Sequence, residues 1–575
     1  MRRIDLNLGQ KLPGARVKAD FMNHVPLKAL LAALLLLNNT PANAADILTL
    51  NGPDQFTASI DQSFNTQSVS GNRQMSSVDT GRHYLTLLDL SARKGLGDGA
   101  LFEFMTNVRV ASDRQITTRH RNEPEVLRIV GRYLKPGVID LSLGDIYPRY
   151  SPYTLTRSLE GGTATIWLID KPADVQPVNS AATNLTLARV HRHEGDSRFN
   201  RYAGALRAET GESGKWNLSA NVVHTWDDDD SNDSKQLLAM DNWVGSLHHT
   251  VSDVSLGKFR YMNLDTEVAY SWNTEDSSAT SEAKKRDLAW RANLSGRFMG
   301  THWGVSYEEV GPDFVSSIGS AASDQALFNA TTRLDVARWL RTSFNYNYYR
   351  NNLDGQLEAT TRTHAPGVMF DFRALPVKFI PLPEWQNLSL QLGLQLRDTE
   401  KSDGTTDWQR YLCSLGANYN FKRFNTGLTQ TLTYYDDYTD TNNDYREATT
   451  TALFGLRDVP LATWLKSSFN VTASYTGQTA DDKTDDYWLY GVSLSGTAWQ
   501  RNNFNVTYNY REINKDSLDN ADYKGNLVRA EWSYRLESLE GMTCSLRYIL
   551  RDNSYSEDVR DYQEELAELN LRMVF

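Results

Sequence analysis

The chain has 575 residues, with 60 Lys and Arg against 71 Asp and Glu for a net charge of −11, 14 Trp, 28 Tyr and 20 Phe, and two cysteines, at a mean hydropathy of −0.52. Two cysteines exclude a disulfide scaffold or a Cys-based metal domain, no apolar run reaches the roughly 20 residues of a spanning helix, and the acidic balance excludes a nucleic-acid partner, which needs a basic surface. Length alone suggests about four soluble domains, but 62 aromatics at negative hydropathy fit strands that put one face in lipid and the other in water.

In chain order, residues 1–21 are polar and precede a second Met, and read as an upstream extension or a misassigned start. From Met22 a basic Lys28, an apolar core at Ala29–Leu37 and the A-x-A site Ala42-Asn43-Ala44 predict a signal peptide over 22–44. Its removal takes away six basic and two acidic side chains and leaves 54 against 69, a net charge of −15. Residues Phe56–Phe64, Tyr84–Ala92 and Leu101–Ala111 predict strands rather than a globular plug, which argues against a TonB-dependent transporter.

The segment 142–167, SLGDIYPRYSPYTLTRSLEGGTATIW, breaks the pattern. Pro148 and Pro152 remove ladder donors, and Tyr147, Arg149, Tyr150, Tyr153 and Arg157 crowd a short stretch, so no regular central strand is expected there. Irregular backbone at membrane depth has to be buried or line water. Residues 142–180 are therefore either an inward-folded constriction or plug, with those five side chains as constriction residues, or a structured external loop. His191, His193 and His224 are a weak metal-ligand set, and Asp227–Asp230 with Asp233 lack the Gly and Glu of a calcium loop, so no metal and no cofactor are expected. No G-x-S-x-G, Walker or H-E-x-x-H motif occurs, which argues against an enzyme.

The C-terminal half alternates with period two. Leu388, Leu390, Leu392, Leu394 and Leu396 share one face. Phe469, Val471, Ala473 and Tyr475 do likewise, as do Phe504, Val506, Tyr508 and Tyr510, and then Val528, Ala530, Trp532 and Tyr534. Such strands of about ten residues just cross an outer-membrane core. Acidic loops centred near 403, 441, 482, 518 and 556 recur at roughly two-strand spacing, with shorter turns at 421–425, 499–503 and 536–541 between them. Trp339, Trp385, Trp464 and Trp499 near the turns, and Tyr434, Tyr435, Tyr487 and Trp488 near the loops, are expected to form two interfacial girdles. The opposite, polar faces carry Arg397, Arg511, Arg529, Glu531, Arg535, Arg547, Arg551, Glu568 and Arg572, which are expected to line a lumen because each would cost about 2–4 kcal/mol in lipid.

The chain ends LAELNLRMVF, with Leu569, Leu571, Met573 and Phe575 on one face. A terminal Phe on an alternating last strand, behind a cleavable signal, resembles the assembly signature of bacterial outer-membrane β-barrel proteins. The resemblance implies a barrel-assembly machinery that reads this strand, a periplasmic C-terminus, extracellular acidic loops, and contact with the lipid bilayer and lipopolysaccharide of a Gram-negative outer membrane. The expected fold is all-β: a large transmembrane antiparallel up-and-down β-barrel over 45–575 with about 22–26 strands. Two functional readings follow, a porin for passive diffusion of ions or small polar solutes, and a barrel that sheathes a partner such as a multihaem cytochrome or a lipoprotein.

Overall fold

The computed structural model describes residues 55–574 apart from 79, 113–123, 169–179, 192–198, 213, 233–237, 276–283, 374–386, 442, 517–521 and 537–540. The upstream extension, the signal peptide, His193, Asp233, Trp385 and Phe575 lie outside the described residues. The described chain forms 26 strands, β1 to β26 in sequence order, each hydrogen-bonded to the next. Strand β26 (Tyr562–Val574) then pairs antiparallel with β1 (Gln55–Gly71), from Ser59 opposite Val574 to Gly71 opposite Tyr562, and this closes the sheet into an all-β barrel. The count stands at the upper end of the expected range.

Alternation assigns the faces. In β17 (Leu388–Lys401), Leu394 lies opposite Cys413 of β18 (Asp407–Phe421), and Cys413 lies opposite Leu432 of β19 (Phe424–Asp437), so one apolar row crosses three strands. Phe424, Leu428, Leu432 and Tyr434 on this face are each more than a third exposed. A belt of such side chains around a closed wall is what hydrocarbon covers, and the alternate residues face the lumen. Trp464 and Trp499 stack at 4.5 Å beside two of the short turns, and Trp339 stacks on Phe372 at 6.3 Å near another. The girdle at the other end is thinner than the sequence suggested. Tyr434 and Trp488 share the lipid face, but their chain neighbours Tyr435 and Tyr487 point to the lumen, because adjacent residues in a strand alternate.

Strand length also differs from the expected ten residues. It runs from 8 in β5 (Ile139–Ile146) to 18 in β20 (Tyr445–Ala462). The longer strands exceed the 9–11 residues needed to cross, and the excess absorbs residues read as loop. The acidic run near 482 is a two-residue hairpin, Asp481-Asp482 with φ of 49° and 63°, between β21 (Leu465–Ala480) and β22 (Lys483–Ala498). Positive φ at both central residues is the type I′ condition that matches strand twist. The connection after β17 likewise shrinks to 402–406. In this up-and-down order the C-terminal ends of the odd-numbered strands all lie at one end of the barrel, and those of the even-numbered strands, Val574 included, at the other.

A circular section through 26 strands, spaced ~4.8 Å apart and tilted ~40°, is about 50 Å across between backbones. Side chains from the wall cannot fill such a space. What occupies part of it is chain that leaves the wall.

Candidate functional site

Two connections turn into the barrel at the acidic-loop end. The first, 147–158, joins β5 to β6 (Leu159–Trp167). The second, 311–324, joins β13 (Thr301–Val310) to β14 (Gln325–Ala337). The sequence marks the first departure with prolines, and the wall shortens there, since β5 and β6 are the two shortest strands described, at 8 and 9 residues. At the exit, Gly144 sits at φ +112°, and a Cβ there would come within 2.0 Å of the Ile129 carbonyl oxygen. Only glycine fits that bend.

The two loops bind each other through backbone. Thr156 N–H donates to Ile318 O at 3.1 Å, and Ser320 N–H donates to Pro152 O at 2.8 Å. Gly319 permits the approach, because a Cβ would lie 2.6 Å from Pro152 O. Together they carry two buried apolar clusters onto the lumen wall. Tyr150, Leu155 and Ile318 pack on Ala203 and Ala205 of β8 (Asn200–Glu212) and Val223 of β9 (Trp216–Asp228). Tyr153 and Phe314 pack on Val244 of β10 (Asp241–Leu256), Ala269 of β11 (Phe259–Thr274) and Ala289 of β12 (Lys285–Phe298). Small wall residues make room for large loop side chains, and the contact reaches interior packing, with Tyr153 and Leu155 fully buried.

Polar contacts fix the depth. Tyr150 shares a hydrogen bond of 3.0 Å with the hydroxyl of Thr186, midway along β7 (Ser180–His191), and also bonds Asn184. Arg207 of β8 donates to Tyr150 O at 2.9 Å. Tyr153 donates to Glu308 of β13 at 2.9 Å, meets the Phe314 ring edge-on at 5.9 Å, and lies 6.0 Å from the Arg291 guanidinium. Asn242 donates to Val315 O at 2.9 Å, and Ser271 accepts from Val315 N–H at 3.1 Å. Buried backbone polar groups of irregular chain need such partners, and here the wall supplies them.

Of the five side chains predicted for a constriction, Tyr150 and Tyr153 are buried as anchors, whereas Tyr147, Arg149 and Arg157 are exposed. Arg149 stacks over the Tyr147 ring at 4.8 Å. Residues 142–146 and 159–167 stay in strands, so the irregular part is narrower than 142–180, and 169–179 lie outside the described residues. Sequence reasoning missed the second loop. Its signal is present in VGPDFVSSIGSAASD: a Gly-Pro exit and three large apolar residues without alternation.

Register places all nine predicted lumen charges on the face opposite the exposed apolar belt. They are not brought to one site. Arg529 pairs with Glu531 at 2.5 Å, Arg551 with Glu564 at 2.9 Å, and Arg547 with Glu568. Arg397 stacks on Trp408 at 5.4 Å and Arg511 lies 5.9 Å from the Tyr523 ring. Arg535 and Arg572 sit near the short-turn end of β24 (Tyr523–Arg535) and β26. His224 is sandwiched on the lipid side between Trp226 and Trp243 and bonds Asp241 at 3.0 Å, while Asp227 is held bidentately by Arg201 at 2.6 and 2.8 Å. No cluster of three metal-type ligands occurs among the described residues.

A closed, belted 26-strand wall with two irregular connections packed against its inner face defines the class: the protein is a transmembrane β-barrel of the bacterial outer-membrane type. No protein-family model and no curated protein matches the chain. Solved structures similar to it include the P pilus usher (PapC) translocation pore, 12% identical over 90% of this chain and 98% of that one at a TM-score of 0.35. The siderophore receptor PirA from Pseudomonas aeruginosa is 10% identical over 91% and 81% at 0.35. OpdK from Pseudomonas aeruginosa, solved with vanillate, is 11% identical over 65% and 98% at 0.29.

Proposed function

We propose that the chain is an outer-membrane channel through which ions or small polar solutes diffuse passively, with the acidic connections outside the cell and the C-terminus in the periplasm. The observation that carries this reading is a wide lumen with polar and charged walls, in which both buried loop clusters lie against one arc, from β5 to β13. The paired loops narrow the passage from one side. Ion pairs along the remaining wall hold its charged side chains in place and leave a polar surface for hydrated solutes. On this reading the lipid face meets phospholipid and lipopolysaccharide, and the last strand is presented to the barrel-assembly machinery.

The test is conductance of the purified protein in planar bilayers. Discrete, ohmic openings support the channel, and a silent barrel refutes it. The estimated bore of about 50 Å between backbones also favours a second reading, a sheath around a partner such as a multihaem cytochrome or a lipoprotein, since such a width exceeds what a small solute needs. Co-purification of a haem-staining protein with the barrel would identify that role.

A further inference from the structure

We propose that the cavity between the 147–158 loop and the facing wall is a binding site for small organic carboxylates, with Arg128 and Arg149 as its cationic ligands. The proposal rests on the channel reading for its biological role, though not for its test. The cavity has a volume of about 520 Å³ and is walled by lumen-facing residues of β3 (Leu101–Ala111) through β8, by Asp145 and Ile146 at the end of β5, and by residues 147–150 of the loop. That volume is in the range of small-molecule sites.

The charges around it do not cancel. Four arginines line the cavity, Arg128, Arg132, Arg149 and Arg207, against three carboxylates, Asp140, Asp145 and Glu209. Arg132 is spent on a fork to Asp140 at 2.8 and 2.6 Å. Arg207 directs two N–H groups at one oxygen of Glu209, Oε2, at 3.1 and 2.8 Å, while Nη1 braces the loop at Tyr150 O. Asp145 accepts the backbone N–H of Ile129 at 2.7 Å. Arg128 and Arg149 remain, both exposed and both without a carboxylate partner among the described contacts, one on the wall and one on the loop.

Their chemistry points to the ligand. A guanidinium presents a planar fork of donors that a carboxylate accepts bidentately. Arg149 lies over the Tyr147 ring, its guanidinium carbon 4.8 Å from the ring centroid, and this cation–π contact favours one placement of the guanidinium before a ligand arrives. Met105, Val130 and Ile146 add apolar surface to the same cavity, which suits the hydrocarbon part of an organic acid and offers nothing to a bare inorganic anion. The aromatic ring of Tyr147 and the Arg149 guanidinium make benzoate an apt probe.

The experiment uses the purified full chain, wild type and the double variant Arg128→Gln/Arg149→Gln, with folding checked by heat-modifiable migration on gels. Calorimetry in detergent with sodium benzoate is expected to show binding that weakens at least tenfold in the double variant. Sodium phosphate and sodium chloride at equal concentration are expected to compete poorly. In planar bilayers, benzoate is expected to reduce wild-type current more than variant current. Equal benzoate affinity in the two proteins, no binding to wild type, or equally strong competition by phosphate or chloride would overturn the proposal. If one substitution prevents folding, each single variant is titrated in turn, and either must weaken binding at least threefold. A barrel that binds benzoate but never conducts would remove the channel reading and leave the site standing.

Discussion

Replacing Tyr153 by Ala is the sharpest perturbation of the lumen. The side chain is fully buried, meets Phe314 edge-on, and donates to Glu308 at 2.9 Å. Truncating a buried aromatic costs about 3–5 kcal/mol, and a hydrogen bond to a charged acceptor accounts for about 1.5–3 kcal/mol of such a loss. The wall is closed by strand ladders that do not pass through Tyr153, so the loss falls on docking of the loops rather than on the barrel. At ~1.4 kcal/mol per decade, the docked-to-undocked ratio falls by roughly a hundred- to several-thousand-fold. Tyr153→Phe keeps the ring and loses only the hydroxyl, so its effect is expected to be intermediate. Single-channel recording is expected to show larger or noisier openings for Tyr153→Ala, and limited proteolysis from the acidic-loop side is expected to cut within 147–158. Both readouts unchanged in Tyr153→Ala would refute the claim that this residue anchors the loops.

Three further outcomes are expected. Gly319→Val puts a Cβ 2.6 Å from Pro152 O; it should separate the loops and reproduce the Tyr153→Ala phenotype in the same recordings, while a wild-type trace would count against the loop contact. Leu428→Arg places a charge on the exposed apolar face of β19 and should destabilise the folded barrel by about 2–4 kcal/mol in lipid, whereas Thr429→Arg, one residue on and facing the lumen, should cost less than about 1 kcal/mol; comparable urea midpoints for the two would reverse the face assignment. In the 402–406 connection, the Lys401 ammonium first, and then the N–H and hydroxyl of Thr405, lower the Asp403 carboxyl to about 2. A depressed carboxyl keeps its contribution above the ordinary carboxylate range and loses it as pH falls towards 2. NMR titration of Asp403 should therefore show a midpoint well below that of Asp403 in an unfolded peptide, and Lys401→Gln should raise it.

The strands of the C-terminal half were legible because their two faces differ, as in Leu388 to Leu396, where every second residue meets hydrocarbon. From β8 to β12 the same logic fails. Ala203, Ala205, Val223, Val244, Ala269 and Ala289 point inward yet are apolar, because loop side chains rather than water cover them. Both faces then read as hydrophobic, and the period-two signal is lost at the positions that hold the site. The first loop was legible through Pro148 and Pro152, which cannot serve a ladder. The second carries a weaker mark, the single Gly311-Pro312 exit and apolar residues without alternation, and what Phe314 and Ile318 cover is not evident until the wall beneath them is known. The lumen charges were legible as a face but not as partners: Arg547 finds Glu568 across a strand pair that only the register defines.

Closure of the barrel through β1 and β26 has a kinetic consequence. Ser63 and its hydrogen-bond partner Glu568 are 505 positions apart, so this seam is a far less local pairing than any hairpin of the wall, and non-local pairings form slowly. Until the last strand is made, the growing sheet has two open edges, each a row of unpaired N–H and C=O groups able to template aggregation. The molecule is thus at its most vulnerable when it is nearly finished. Seam contacts such as Asp61 with Asn570 and Ser63 with Glu568 form only at the final step, and substitutions there should slow the yield of closed barrel while hardly touching the hairpins that precede it.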